Sequence, residues 1–310
     1  MRILFWGTPD FGVPSLRALQ EEGHAVAAVV TQPDRPSGRG RILRPGPIKA
    51  VAEEEGIPVL QPEKPAGEEF LARLREFEPE LSVVAAYGEI LSEEVLSLPA
   101  RGSVNVHASL LPELRGAAPV NWAIIRGHEH SGVTIMRMVR ELDAGPILYR
   151  VAVELPSDVT AGELYQMLSE IGATALVEAL AQMEAGALQE EEQVHDQATY
   201  APKLSRDGAR LDWRLPASEL DRWIRGCDPW PGAWTTLEDR PVQLFGSAPE
   251  PSEATGPPGS VLLADPRLGL LVATGAGAIR IGEVKPAGRQ RMSAGSWIHG
   301  RAVVEGQSFE

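Results

Sequence analysis

An asparagine and a histidine two residues apart, Asn105 and His107, open the run Asn-Val-His-Ala-Ser-Leu-Leu-Pro-Glu-Leu-Arg-Gly at residues 105–116. Residues 103–106 read as a strand. Strand side chains alternate between faces with a period of two, so both groups project from one face and one substrate can touch both. Asp143 follows the strand-like run 133–139, and this reading puts its carboxylate at the same sheet edge as His107. An amide, an imidazole and a carboxylate at one edge suit acyl transfer to an amine: the donor carbonyl becomes an oxyanion while the attacking nitrogen loses a proton. A deprotonated amine attacks directly, so no serine or cysteine nucleophile is needed. Taken singly, each residue has a plainer explanation. A lone Asn or His here bonds within a loop, and Asp-Ala-Gly is an ordinary turn in which Asp bonds its own backbone. Their coexistence with the rigid Ser109-Leu110-Leu111-Pro112 and with Arg115-Gly116 carries the acyl-transfer reading.

The elements that must hold these groups are visible as alternating periodicities. Residues 2–6 and 25–30, the apolar run 81–86 and residues 103–106 have the pattern of buried strands; 14–22, 47–55, 71–77 and a short stretch near 92–97 have that of amphipathic helices. Strands alternating with helices imply an α/β domain with a parallel sheet covered on both faces, and ligands of such sheets bind at the carboxyl ends of the strands. A strand pair over 133–139 and 146–153 follows. A long helix then starts at Thr160-Ala161-Gly162-Glu163, a capping box, and runs to about Glu184. The stretch 190–206 opens with the acidic run Glu190 to Glu192, loses periodicity and reads as a linker. Beyond it, a helix-like PASELDRWIRGC and several short strands between Gly/Pro turns indicate a small β-barrel or sandwich.

At 310 residues the chain is long for one core, and two domains are expected. The first apolar run is too short for a membrane span and lacks a cleavage site, so the reading is cytoplasmic. Cys227 stands alone; it fits a reducing compartment and reads as a small packed residue. No metal-ligand spacing occurs, and no metal is expected. Trp230 and Trp234 read as barrel core, His128 and His130 as solvent-facing. The turn Gly7-Thr8-Pro9-Asp10-Phe11-Gly12 lacks the spacing that grips a pyrophosphate, which disfavours a nicotinamide dehydrogenase; a tight turn or binding at the sheet edge stays open. The net charge of −14 argues mildly against a nucleic-acid partner. Its distribution matters more. Residues 31–50 carry Arg35, Arg39, Arg41, Arg44 and Lys49 against only Asp34, in a Pro- and Gly-punctuated loop that is either a solvated charge run or a grip for phosphates.

The segments MRILFWGTPDFGVPSL, TQPDRPSGRGR, VAAYGEIL, NVHASLLPELRGAAPVNWAI, GVTIMRMVRELDAGPIL and CDPWPGAW occur in order, and in them the chain resembles the methionyl-tRNA formyltransferases of the folate-dependent formyltransferase family. The resemblance spans nearly the whole chain. It implies a Rossmann-like catalytic domain with a parallel or mixed sheet over 1–189, a linker over 190–206 and an OB-like β-barrel that binds tRNA over 207–310. It further implies transfer of a formyl group from 10-formyltetrahydrofolate to the amino group of methionine on initiator tRNA, by a monomer. Asn105 and His107 would polarise the formyl oxygen and stabilise the tetrahedral intermediate, with Asp143 orienting His107 and assisting proton transfer. Ser109, Leu110, Leu111 and Pro112, with the loop around Tyr87, Gly88 and Ile90, would form the folate pocket. Arg39 and Arg41, with Arg35 and Arg44, would meet the acceptor end of the tRNA. Formylation of a nucleotide-linked amino sugar or of glycinamide ribonucleotide, and non-catalytic tRNA binding, are the alternatives.

Overall fold

In the computed structural model the described residues are 1–37, 42–251, 256–300 and 302–310. They form two compact units. The first comprises Met1–Pro119, His130–Glu154 and Tyr165–Pro202, and the second comprises Val120–Glu129, Leu155–Leu164 and Lys203–Glu310.

The chain begins with β1 (Arg2–Gly7), α1 (Val13–Glu21) and β2 (Ala25–Val30), then a two-residue ribbon of β3 (Pro36–Ser37) and β4 (Ile42–Leu43). Next come α2 (Pro47–Glu54), β5 (Val59–Leu60), α3 (Glu68–Arg75), β6 (Leu81–Ala85), α4 (Glu93–Leu96), β7 (Ser103–His107) and α5 (Pro119–Ile125). Two long strands, β8 (His130–Arg137) and β9 (Ile147–Glu154), precede α6 (Ala161–Glu184). The sheet of the first unit runs β5-β2-β1-β6-β7-β8-β9. Its first five strands are parallel, whereas β8 pairs antiparallel with β7 and β9 antiparallel with β8.

Burial explains the sequence patterns. Ile3, Leu4, Phe5 and Trp6 in β1 and Leu81 to Ala85 in β6 are buried on both faces, so these central strands read as unbroken apolar runs. The edge strand β9 alternates half-buried and exposed positions from Tyr149 onward, because one face is more covered than the other. The start of α6 is a true capping box: the Thr160 N–H donates to Glu163 Oε2 at 2.9 Å and the Glu163 N–H to Thr160 Oγ1 at 3.3 Å. The short elements α5, β5 and the β3–β4 ribbon went unread in the sequence, each too brief to establish a period.

The second unit contains α7 (Ala217–Gly226), β10 (Trp234–Leu237), β11 (Arg240–Glu250), β12 (Val261–Asp265), β13 (Gly269–Ala273), β14 (Ala278–Pro286), β15 (Met292–Ser293) and α8 (Ala294–His299). Its antiparallel sheet runs β10-β11-β14-β13-β12, with β15 on β14. The last residues join its two ends. Glu310 exchanges backbone hydrogen bonds with Thr236 beside β10, while Phe309 and Gln307 bond Gly259 and Val261 beside β12. The last residues thereby bridge the two ends of the sheet, the closure expected of a small barrel, and cover part of each edge. Phe309 fills the closure, its ring stacked on Trp213 at 5.5 Å and facing Trp297 at 6.4 Å.

One expectation here is corrected. Trp230 is 59% exposed and does not belong to the barrel core. Trp234 is half-buried; its Nε1 donates to the Arg206 carbonyl at 2.6 Å, with Arg210 over its ring. Cys227 is buried, and burial pushes its thiol up to about 12, so it is no nucleophile. Among the described residues no helix is long and apolar enough to cross a membrane. Because Phe309 closes the barrel from within, Phe309→Ala is expected to destabilise the second unit by about 3–5 kcal/mol. Urea unfolding followed by tryptophan fluorescence checks this, and a loss below about 1 kcal/mol would contradict the closure.

Candidate active site

Strand β7 ends the parallel part of the sheet, with Asn105 opposite Val84 of β6 on one side and Met136 of β8 on the other. Asn105 and His107 share a face, as a period of two requires. Asn105 is half-buried, and among the described residues its amide has no hydrogen-bond partner. A half-buried amide left unpaired in the chain is available to a ligand.

His107 is 5% exposed, and its Nε2 lies 3.1 Å from the carbonyl oxygen of Leu114. A carbonyl only accepts, so Nε2 carries a proton. The other nitrogen, Nδ1, is then the ring's free lone pair in the neutral imidazole. It faces the Asp143 carboxylate with Oδ2 at 3.7 Å, farther than a hydrogen bond and an ion pair only when the ring is protonated. What orients the ring is therefore Leu114, and the role expected of Asp143 in orienting His107 narrows to an electrostatic one. Asp143 Oδ2 is itself held by the Gly116 N–H at 2.7 Å.

The route by which Asp143 arrives differs from the sequence expectation. Because β8 is antiparallel to β7, its carboxyl end at Arg137 lies opposite Val104, away from His107. Residues 138–146 bring Asp143 back over the sheet: Met138 N–H donates to the Ser103 carbonyl, and Arg137 N–H to that of Pro146. The return is tight, with Asp143 at a φ of 49°. A Cβ on Gly145 would sit 2.1 Å from the Arg137 carbonyl oxygen, so only glycine fits there.

The turn after β7 supplies the other half. Thr134 Oγ1, on the β8 residue paired with His107, donates to the Ser109 carbonyl at 2.6 Å and accepts the Leu111 N–H at 3.1 Å. Ser109 Oγ donates to the Glu113 carbonyl at 2.6 Å. Leu114 then takes a φ of 59°, its N–H on Thr199 Oγ1, which turns its carbonyl toward His107. Gly116 follows with a φ of 115°, and a Cβ there would meet the Ala201 carbonyl at 2.9 Å.

The remaining predicted residues divide. Ser109 and Leu111 are buried, Leu111 in a cluster with Met136 and Ile147, while Leu110 and Pro112 are half-buried. The Tyr87 ring lies in the core against Trp6 at 5.3 Å, where burial and nearby Glu89 push its hydroxyl up to about 12. Its carbonyl accepts from Gln32 Nε2 at 2.9 Å and from Thr8 Oγ1 at 3.3 Å, which fixes the loop. Gly88 adjoins it, and Ile90 is 86% exposed, an apolar side chain just beyond the carboxyl end of β6. Arg35 and Arg44 are exposed; Arg39 and Arg41 lie outside the described residues. Lys49 is no free cation, since its ammonium bonds Asp34 at 2.6 Å and Gln61 at 2.8 Å; the bonds that Asp34 accepts from Lys49 and from Gln61 Nε2 hold its carboxyl below the usual range. Among the described residues no cluster of His, Cys, Asp and Glu could hold a metal ion.

Sequence reasoning named Arg115 but missed its partner Gln193, and with it the brace between these turns. Arg115 and Gln193 are buried and bonded to each other, and Gln193 lies in the stretch read as linker. That stretch has no periodicity that would reveal a bond spanning 78 residues. Its acidic run is similarly engaged, with Glu190 on Arg137 and Glu191 on Arg150.

Comparison with known proteins agrees with this architecture. Residues 1–180 match the Formyl transferase family model, and residues 203–302 match that of the Formyl transferase C-terminal domain. A protein of Desulfotalea psychrophila named methionyl-tRNA formyltransferase is 45% identical over 98% of this chain and 94% of its own. One of the same name from Bacillus subtilis is 44% identical over 98% of this chain and 96% of its own. The crystal structure of HypX from Aquifex aeolicus in complex with tetrahydrofolic acid shares the fold at a TM-score of 0.67 and 20% identity, over 100% of this chain and 51% of that one. A sheet edge carrying Asn105, His107 and Asp143, two matching domain models and relatives aligned along nearly the whole length lead to one conclusion: the chain belongs to the formyl transferase family, in its methionyl-tRNA formyltransferase group.

Proposed function

We propose that the chain transfers the formyl group of 10-formyltetrahydrofolate to the free amino group of methionyl-initiator tRNA, giving N-formylmethionyl-tRNA. The observation that carries this reading is the unpaired Asn105 amide beside an imidazole whose Nε2 is already fixed by Leu114. The identity of the acceptor follows the relatives of that name, aligned at 44–45% identity along nearly the whole chain.

The folate supplies a formyl group whose carbonyl oxygen gains negative charge as the amine attacks. The Asn105 side-chain N–H groups, having no competing partner among the described residues, are free to donate to that oxygen. His107 Nδ1, with the Asp143 carboxylate 3.7 Å away, accepts the proton that the attacking amine must lose; the tetrahedral adduct then breaks its bond to N10 of the folate, which takes that proton and leaves as tetrahydrofolate. Asp143 Oδ2 keeps the Gly116 N–H throughout, which leaves Oδ1 to order a water or the amine. The half-buried Leu110 and Pro112 and the exposed Ile90 offer apolar surface for the flat pterin ring, and the Gly88 backbone offers polar groups for its edge.

In this reading residues 1–189 are catalytic, 190–206 link, and 207–310 bind tRNA, in a monomeric cytoplasmic enzyme. The acidic chain meets a polyanion through local cations. Arg280 is committed to Glu250, and Arg291 to Asp228 and Glu283. Lys285 and Arg289 are exposed without such a partner among the described residues, as are Arg35 and Arg44. With Arg39 and Arg41, these are the groups proposed to neutralise phosphates.

The decisive assay incubates the protein with 10-formyltetrahydrofolate and either methionyl-tRNA or a nucleotide-linked amino sugar. Formylmethionyl-tRNA is the expected product, and Asn105→Ala and His107→Ala are each expected to lower kcat by about 10²–10⁴-fold without unfolding. Formylation of the sugar alone, or full activity of both variants, would overturn the assignment. For the basic loop, replacing Arg39 and Arg41 together by Ala is expected to raise KM for tRNA at least about tenfold and flatten its salt dependence, with folate affinity unchanged. An unaltered tRNA KM and salt slope would refute that role.

A further inference from the structure

Gln193 is 5% exposed, and its amide uses all of its hydrogen-bonding capacity on the two turns that flank His107. Its Oε1 accepts from Arg115 Nε at 3.1 Å and Nη2 at 2.6 Å. Its Nε2 donates to the backbone carbonyl of Asp143 at 2.9 Å and to that of Gly145 at 2.7 Å. Arg115, 4% exposed, has as its other side-chain partner His195 Nδ1 at 3.1 Å. Guanidinium only donates, so His195 Nδ1 accepts, and both partners of this buried cation are neutral. That is a costly arrangement for stability alone, since a buried charge without a carboxylate is poorly compensated.

The strand-like segment around Gln193 is itself pinned. Glu191 exchanges both backbone hydrogen bonds with Ile147 at the start of β9, and Arg115 and Ala201 bond through their backbones at 2.7 Å. Gln193 thus stands between two fixed points and reaches both turns at once. One turn carries the Asp143 carboxylate; the other carries the Leu114 carbonyl and the Gly116 N–H that hold His107 and Asp143.

We propose that Gln193 is a positioning residue for formyl transfer: it clamps the backbone of the Asp143 turn to Arg115 and so sets the carboxylate against His107. This rests on the reading of Asn105, His107 and Asp143 as the groups that act on the substrates. A displacement of about 1 Å in such a group costs on the order of 10²-fold in rate, while substrates held elsewhere bind as before. The clamp acts through its N–H donors, because only they reach the Asp143 turn.

The test measures kcat and KM of the full chain with 10-formyltetrahydrofolate and methionyl-tRNA for Gln193→Ala and Gln193→Glu, each alone and with Asp143→Asn. Gln193→Glu is isosteric and still accepts from Arg115 but donates nothing, so it carries the test even where the alanine variant folds poorly. Both are expected to lose about 10- to 100-fold in kcat, with either KM moving less than about threefold. In the Asp143→Asn background the further loss is expected to be under about twofold, because the two act through one carboxylate. Gln193→Glu at the parental kcat, or full multiplicative losses in the double variants, overturns the clamp. Asn105→Ala and His107→Ala, run alongside, separate the two ideas: loss in these with none at Gln193 removes the clamp alone, and full rates in these remove the underlying reading with it.

Discussion

One hydrogen bond, from His107 Nε2 to the Leu114 carbonyl, sets what the rest of the site can do. It decides which nitrogen of a buried imidazole carries the proton and which has a lone pair, and it does so with a group that has no alternative role. Once Nε2 is committed, the reacting edge of the ring is the Nδ1 edge, the one that faces Asp143. The carboxylate then stands beside the reacting nitrogen without a hydrogen bond to it in the resting geometry.

Everything that turns Leu114 inward follows from local chemistry a few residues away. A strand must end at His107 for its side chain and that of Asn105 to share a face, and the chain must reverse at once to return a carbonyl seven residues later. Thr134 holds the first part of that reversal, a positive φ at Leu114 turns the peptide, and Gly116 passes where a side chain would strike Ala201. The Asp143 turn approaches independently from β8, and the two turns meet at one N–H to carboxylate bond. Two irregular loops of this kind have few internal bonds of their own, so their relative position depends on partners from a distant part of the chain, Thr199, Ala201 and Gln193.

How much of this could be read beforehand depended on whether the governing contact was local. The α/β alternation, the capping box at Thr160 and Glu163, the shared face of Asn105 and His107 and the short strands of the barrel all rest on periodicities or neighbours within a few residues. Strand direction is not local. The run 133–139 looks the same whether it lies parallel or antiparallel to its neighbour, and its reversal relative to β7 is why Asp143 arrives by a returning loop. Tyr87 and Trp230 exchanged their expected surroundings for a related reason: an aromatic side chain beside a turn is as able to face the core as the solvent, and only the tertiary fold chooses. Gln193 was illegible because nothing in a polar, aperiodic stretch marks one amide as the partner of two turns far away in sequence.

The tautomer of His107 tests this account at its root. Nitrogen-15 NMR of histidine-labelled protein, with the His107 signals assigned by their loss in His107→Gln, reports which ring nitrogen bears the proton in the neutral imidazole. The account requires the Nε2-protonated form, with a bare Nδ1 that responds to Asp143→Asn. A neutral ring protonated at Nδ1, with Nε2 unprotonated, would contradict it.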